Sequence, residues 1–223
     1  MTPPAVLDAR IWQAIVAGAF VAIGWIVNGW QNRRVAAALR AERTRDVHRA
    51  LYAEIASCLA NLESPEALAA YRDAMAARMR EDAGFVPLIP RERNDTVFRA
   101  LVAEIHILPR VTIDPVVSYY SQLFAIEAMI ADMRGERFRA LEPERRIAMY
   151  EDYIALKVQA FHDGHFALRM IEAFARDGRK GAMDEEARIT REIAAGIDTA
   201  GAAARAASRI SNPGAARSGR SPE

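Results

Sequence analysis

The chain has 223 residues, of which 52% are hydrophobic and 26% are charged, and its formal net charge is +1. Such a balance produces no global field of the kind that marks nucleic-acid-binding proteins, so nucleic acid is not expected as a partner. The single cysteine, Cys58, excludes an intramolecular disulfide and a multi-cysteine metal site. It falls on an apolar stripe and is interpreted as a small buried side chain.

An uncharged apolar run over residues 11–30 is the first predicted element. A helix of that length spans about 30 Å, the thickness of the hydrocarbon core of a bilayer. Trp12 and Trp30 stand near its ends, where aromatic rings favour the headgroup level. The run therefore predicts a transmembrane helix. The alternatives are a buried core helix, which would normally have a polar face, and a cleaved signal peptide, which Arg33 and Arg34 disfavour.

Arginines are denser after the apolar run than before it. Arg10 precedes the run, and six arginines follow by residue 49: Arg33, Arg34, Arg40, Arg43, Arg45 and Arg49. The positive-inside rule then predicts an extracytoplasmic amino terminus over 1–10 and a cytoplasmic carboxy-terminal domain, in a single-pass protein of the bacterial inner membrane. The bacterial origin is inferred from the excess of alanine and arginine over lysine. Membrane lipid is the expected partner, with headgroup contacts at Arg33, Arg34 and Arg40.

Small residues recur on one face of the apolar run, at Ala14, Gly18 and Ala22. A four-residue spacing of small side chains lets two membrane helices approach closely. This face is the candidate helix-dimer contact. A homo-oligomer and an unidentified protein partner are therefore expected beside membrane lipid.

The segment 31–46 contains neither proline nor glycine and is rich in arginine, which predicts a helical stalk that continues the first helix. At residue 47 an apolar stripe with spacings of three and four residues begins. We expect the stalk to enter a helical bundle there. The stripe consists of Val47, Leu51, Ile55, Cys58 and Leu62.

Helix-start and helix-stop signals divide the bundle, predicted over 47–208. A capping side chain followed by proline is typical of a helix start, and glycine is typical of a helix end. The predicted fold class is all-α, an antiparallel helical bundle, and the small, polar residues 209–223 predict a disordered tail. Helices are expected to begin at Pro65, after Asn94 or Asp95, at Pro115, at Pro143 and at Asp184, with a break near Gly178.

Two polar side chains, Glu127 and His165, fall where the apolar stripes predict a core. If their helices pack antiparallel, the carboxylate and the imidazole can meet as a buried polar pair. Burial alone would raise the pKa of the carboxyl and lower that of the imidazole, and pairing would oppose both shifts. The pair is interpreted either as structural or as responsive to pH or to a ligand.

His162 and His165 lie three residues apart, a spacing that can share a metal ion on one helix face. The sequence contains no Glu-x-x-His, the signature of di-iron carboxylate bundles. The two histidines are therefore weak candidates, and neither a metal nor another cofactor is predicted.

The motifs of common enzymes are missing from the sequence: there is no phosphate-binding glycine loop, GxSxG, HExxH or kinase signature. We therefore predict a non-enzymatic, membrane-anchored interaction or regulatory module. A sensor of a small ligand, a metal or pH that uses the bundle interior is the alternative. A membrane-active protein of phage or toxin type is a further one.

Overall fold

In the computed structural model, the backbone is described for residues 9–91 and 94–211, and side chains for the same ranges except 9–11, 14 and 196–211. Every element of regular structure in these ranges is helical, which confirms the all-α class. The chain divides into two compact units, residues 1–50 and 51–223, which are described separately below. The predicted amino terminus over 1–8 and the tail over 212–223 lie outside the described residues.

The first helix, α1, runs without a break over Ala9–Ala60, a length of 52 residues. No proline occurs in this range, and good helix formers such as alanine, leucine, arginine and glutamate dominate its second half. The continuity predicted from the apolar run through the arginine-rich segment is therefore present. Its last ten residues, 51–60, belong to the second unit.

The predicted membrane span needs correction. Among the residues that the structure describes, no helix offers a stretch long and apolar enough to cross a membrane. The transmembrane helix and the single-pass inner-membrane location with its orientation are therefore not supported. The lipid partner stays a prediction.

The second unit contains the helical bundle. Ser64 caps its first complete helix as predicted, because its hydroxyl accepts a hydrogen bond from the amide of Ala67 at 3.2 Å. The bundle helices are α2 (Pro65–Glu81), α3 (Thr96–Leu101), a 3-10 segment (Val102–Ile107), α4 (Arg110–Met133), α5 (Glu136–Arg139) and α6 (Pro143–Ser211).

The structure differs from the prediction in the start of α4 and in the extent of the helix before it. α4 begins at Arg110 rather than at Pro115, because Pro109 ends the preceding segment and its carbonyl accepts hydrogen bonds from the amides of Thr112 and Ile113. Pro115 lies inside the helix, where its missing amide costs one hydrogen bond near the helix start. The helix predicted to begin after Asn94 or Asp95 has only six residues, since it turns into the 3-10 segment after Leu101.

The chain reverses direction within α6. Gly178 has φ 64° and ψ −154°, a conformation open to glycine alone, so α6 consists of a first arm (143–177) and a second arm (179–211). Arg169 in the first arm pairs with Glu185 in the second at 2.8 Å. In a straight helix their α-carbons would be about 24 Å apart. The arms therefore run antiparallel. The break predicted near Gly178 is present, but the helix resumes at residue 179 rather than at the predicted Asp184.

The core of the bundle lies between α2, α4, α5 and the first arm of α6. α5 has only four residues, yet Phe138 within it is almost fully buried and closes one end of this core. The buried members of the core are Leu68, Ala76, Met79, Ile89, Ile126, Ile130, Met133, Phe138, Ile147, Tyr150, Tyr153, Ile154 and Ala160.

Candidate functional site

Glu127 and His165, the predicted buried pair, do not meet. Glu127 on α4 is exposed, and its carboxylate accepts from the guanidinium of Arg99 at 3.3 Å. His165 is also exposed, with Nδ1 2.8 Å from the carbonyl oxygen of Phe161 and its ring 4.3 Å from that phenyl ring. Both residues lie at the edges of their apolar stripes, where a polar end reaches water. The interpretation as a buried pair is corrected accordingly.

His162 and His165, the weak metal candidates, line an open groove between the two arms of α6. Asp163 and Glu192 also border this groove. Within the described part of the chain, however, no three histidine, cysteine, aspartate or glutamate side chains are grouped so that they could hold a metal ion.

The residues predicted to contact a second helix or lipid are all in α1. The side chain of Ala14 lies outside the described set, Ala22 is exposed, and a Cβ placed on Gly18 would meet nothing within 4 Å. Arg33, Arg34 and Arg40 are exposed, and the guanidinium of Arg34 lies 4.4 Å from the Trp30 ring. Their predicted lipid contacts stay a prediction.

The structure places a polar junction around Glu54 of α1 that the sequence analysis missed. One carboxylate oxygen accepts from the backbone amide of Val97 at 2.6 Å, and the other accepts from that of Phe98 at 3.0 Å. The second oxygen also accepts from the hydroxyl of Tyr120 on α4 at 2.6 Å. Glu54 thus satisfies amides in the first turn of α3 that have no partner within the helix. A carboxylate 43 residues away in sequence gives no local capping signal.

Aromatic packing completes this junction. The Phe98 ring stacks on Tyr120 at a centroid distance of 3.9 Å. Burial, followed by the hydrogen bond to Glu54, raises the pKa of Tyr120 far above its usual value, so the phenol stays protonated and remains a donor. The junction joins α1, α3 and α4 and provides positioning rather than reactive chemistry.

Cys58 lies close to the same junction and is half-buried. Its thiol is 3.5 Å from the carbonyl oxygen of Asn94. Burial raises the pKa of the Cys58 thiol, so little thiolate is present at neutral pH. Because the thiolate is the reactive form, Cys58 is poorly suited to be a nucleophile.

A second feature missed from the sequence is a groove of about 330 Å³, here called the tyrosine groove. Its volume is at the lower end of the range for small-molecule sites. α2 and the residue stretch before it form one wall, the α2–α3 connection forms the rim, and the first arm of α6 forms the floor. The lining residues are Glu63, Ala67, Leu68, Tyr71, Leu88, Ile89, Pro90, Tyr150, Tyr153, Ile154 and Lys157.

Two arginines hold the rim of the tyrosine groove in place. Arg146 is almost fully buried and donates to the carbonyl oxygen of Phe85 at 3.0 Å and to that of Ala83. Arg134 donates to the carbonyl oxygen of Ile89 at 2.5 Å. All three bonds have a charged guanidinium as the donor and are stronger than neutral ones. The connection is therefore fixed at two points although it has no regular structure.

The floor of the tyrosine groove combines apolar rings with one cation. Tyr150 and Tyr153 are 2% and 4% exposed. Burial, with contributions from Tyr71 and Tyr153, raises the pKa of Tyr150, so its phenol is neutral. The ammonium of Lys157 lies 3.4 Å from the Tyr153 hydroxyl and 5.4 Å from its ring centroid. The groove therefore presents tyrosine rings and one ammonium group, and its described lining holds no nucleophile–base pair.

The fold and the tyrosine groove assign the chain only to a structural class, the all-α helical bundles. No known protein family matches the chain, and neither a curated protein nor a solved structure gives a match.

Proposed function

We propose that the chain is a non-enzymatic interaction module that associates with a second copy of itself through residues 12–39 of α1. The supporting observation is that the apolar side chains of this segment are exposed. The large apolar side chains described in this segment are between 45% and 82% exposed. Monomeric proteins seldom leave so large a contiguous apolar surface uncovered, and surfaces of this kind mark interaction sites.

Charge distribution favours a second copy as the partner. Residues 11–32 carry no charged side chain, so two such helices can lie together without burying a charge or repelling each other. Gly18 and Ala22 offer a face where two helix backbones can approach closely. Arg33 and Arg34 are the first charged side chains after these residues. They lie within the 12–39 segment, where their exposed guanidinium groups can remain in water.

Two glycines provide a matched test of this proposal. A Cβ added at Gly18 or at Gly24 meets nothing within 4 Å, so leucine fits the free chain at either position. The two positions differ in direction by about 120° around the helix. Gly18→Leu should raise the dissociation constant of the dimer at least about tenfold, because the side chain separates the two backbones. Gly24→Leu should leave it within about twofold.

Sedimentation equilibrium of the purified full chain, supported by chemical crosslinking, measures these constants. A parent chain that stays monomeric across the accessible concentration range would overturn the proposal. Equal effects of the two substitutions would place the contact elsewhere than on the face of Gly18 and would refute the assigned geometry.

A further inference from the structure

We infer that the second arm of α6 docks on the first arm of a second copy of the chain, so that two copies exchange their second arms. In the exchanged pair, Gly178 would take helical dihedral angles and each α6 would continue straight past it. This exchange is independent of the proposed association through α1, since every residue that it uses belongs to the bundle.

The apolar surface that the second arm covers is complementary to that arm. Met170 of the first arm forms a small buried cluster with Ala182 and Ile189 of the second arm. Phe166 and Phe174 of the first arm pack against this cluster and are partly buried. A second copy offers the same arm with the same side chains, so an exchanged arm makes the contacts that the closed chain already makes.

Ionic contacts fix the direction of the docked arm. Arg169 of the first arm pairs with Glu185 at 2.8 Å and with Glu192 at 3.3 Å. Residue 177 is midway between positions 169 and 185, next to the reversal. Two straight helices that lie antiparallel about a two-fold axis at this point therefore form the Arg169–Glu185 pair twice, once in each direction.

The closed form depends on two glycines at the reversal. Gly178 has φ 64° and ψ −154°, a region essentially restricted to glycine. A Cβ added at Gly181 would overlap the Cβ of Asp177 and lie 3.0 Å from the carbonyl oxygen of Ala173. In a straight helix, side chains four residues apart are separated by about 5–6 Å at Cβ, so the same atom fits. A tight, short hinge of this kind favours exchange between copies.

Gly178→Ala tests the inference, because alanine disfavours the closed turn and favours a continuous helix. Sedimentation equilibrium of the full chain is measured in a Gly18→Leu background, which disrupts the proposed contact through α1. Gly178→Ala should lower the dissociation constant of the dimer at least about tenfold. Gly24→Ala, a matched change within α1, should leave it within about twofold. A folded Gly178→Ala chain that stays monomeric would overturn the inference.

Gly181→Ala is the second variant and decides the test if Gly178→Ala fails to fold. It should also strengthen dimerisation, because the added Cβ fits only the straight helix. Unchanged association of Gly181→Ala would contradict the exchange. The α1 proposal fails separately: a monomeric parent with a dimeric Gly178→Ala chain refutes the contact through α1 and supports the exchange of arms.

Complementary charges show whether the arms cross between copies. Arg169→Glu and Glu185→Arg, each added to the Gly178→Ala chain, place like charges between the two arms of one copy. After the two chains are unfolded, mixed equally and refolded, exchange brings opposite charges together in the heterodimer. Native mass spectrometry with one chain ¹⁵N-labelled should then show at least about fivefold more heterodimer than both homodimers combined.

The control for this mixture replaces Glu185→Arg by Glu186→Arg, a change at the neighbouring exposed position. That mixture should show a much weaker preference, because Arg169 pairs with Glu185 and not with Glu186. Random pairing gives equal amounts of heterodimer and of both homodimers combined. Random pairing in the Arg169→Glu and Glu185→Arg mixture would overturn the inference.

Discussion

Two segments of the same helix, residues 12–39 and 51–60 of α1, are both rich in large apolar side chains, yet only the second buries them. Leu51, Ile55 and Leu59 are buried, at a constant spacing of four residues. In the first segment the apolar side chains surround the helix. A single stripe can be covered by one neighbouring surface, whereas apolar side chains on all sides need several. Whether the rest of the chain covers a segment of α1 therefore depends more on how its apolar side chains are distributed around the helix than on how many there are.

The largest effect that follows from this contrast concerns Ile55, which is fully buried. Ile55→Ala should lower the free energy of unfolding by about 2–5 kcal/mol, because it removes buried methylene groups and leaves a cavity. Urea unfolding followed by circular dichroism measures this. At protein concentrations where the chain is monomeric, the matched change in the exposed segment, Ile26→Ala, should alter it by less than about 0.5 kcal/mol. Similar losses from both changes at those concentrations would show that residues 12–39 are buried within one chain too.

A smaller effect is expected at Glu54, which shares the buried segment of α1 with Ile55. Glu54→Gln replaces one acceptor oxygen with a donor that faces backbone amides, and should cost about 1–3 kcal/mol. Glu42→Gln, an exposed position on the same helix, is the control and should be nearly neutral. In a double-mutant cycle with Tyr120→Phe, the two losses should not add, because both remove the same hydrogen bond. Strict additivity would contradict the junction.

The smallest of the three effects concerns His48, where buried positions begin along α1. It is 5% exposed, and burial lowers its pKa from 6.5 to about 4. Because the folded state resists protonation, stability is complete above pH 6.5 and falls as the pH drops toward 4. Between pH 7 and 5 the loss should be on the order of 1–2 kcal/mol.

The measurement for His48 is thermal unfolding over that pH range, compared between parent and variants. His48→Gln should flatten the pH dependence, because glutamine does not titrate. Replacement of an exposed histidine, His162→Gln, should leave the parent profile intact. A profile that His48→Gln does not change would exclude His48 as its source.

Local signals in the sequence were good predictors of helix starts and of one break. Ser64 with Pro65 begins α2, Pro143 begins α6, and Gly178 interrupts α6. Each depends on atoms within a few residues: a hydroxyl that reaches a nearby amide, a ring that fixes φ, or a missing Cβ. The same reasoning was wrong for α4, because Pro109 and the Asp114–Pro115 pair both resemble a start and the earlier one takes precedence.

The candidate sites were less predictable. Glu127 and His165 were assigned to the core from stripe position, but a residue at the edge of a stripe can turn its polar end to water, and both do. Glu54 attracted no notice because its partners lie 43 to 66 residues away in sequence. The tyrosine groove depends on a connection without periodicity, whose course is set by Arg134 and Arg146.

The sequence by itself determined the all-helical class, the continuity of α1 and the position of the reversal in α6, since these follow from local propensities and from proline and glycine. Tertiary structure alone decided which apolar side chains are covered, how the second arm of α6 folds back on Arg169, and where Glu54 and Lys157 find their partners. Burial and long-range hydrogen bonds depend on which surfaces meet in space, and that is not encoded within any one segment of the chain.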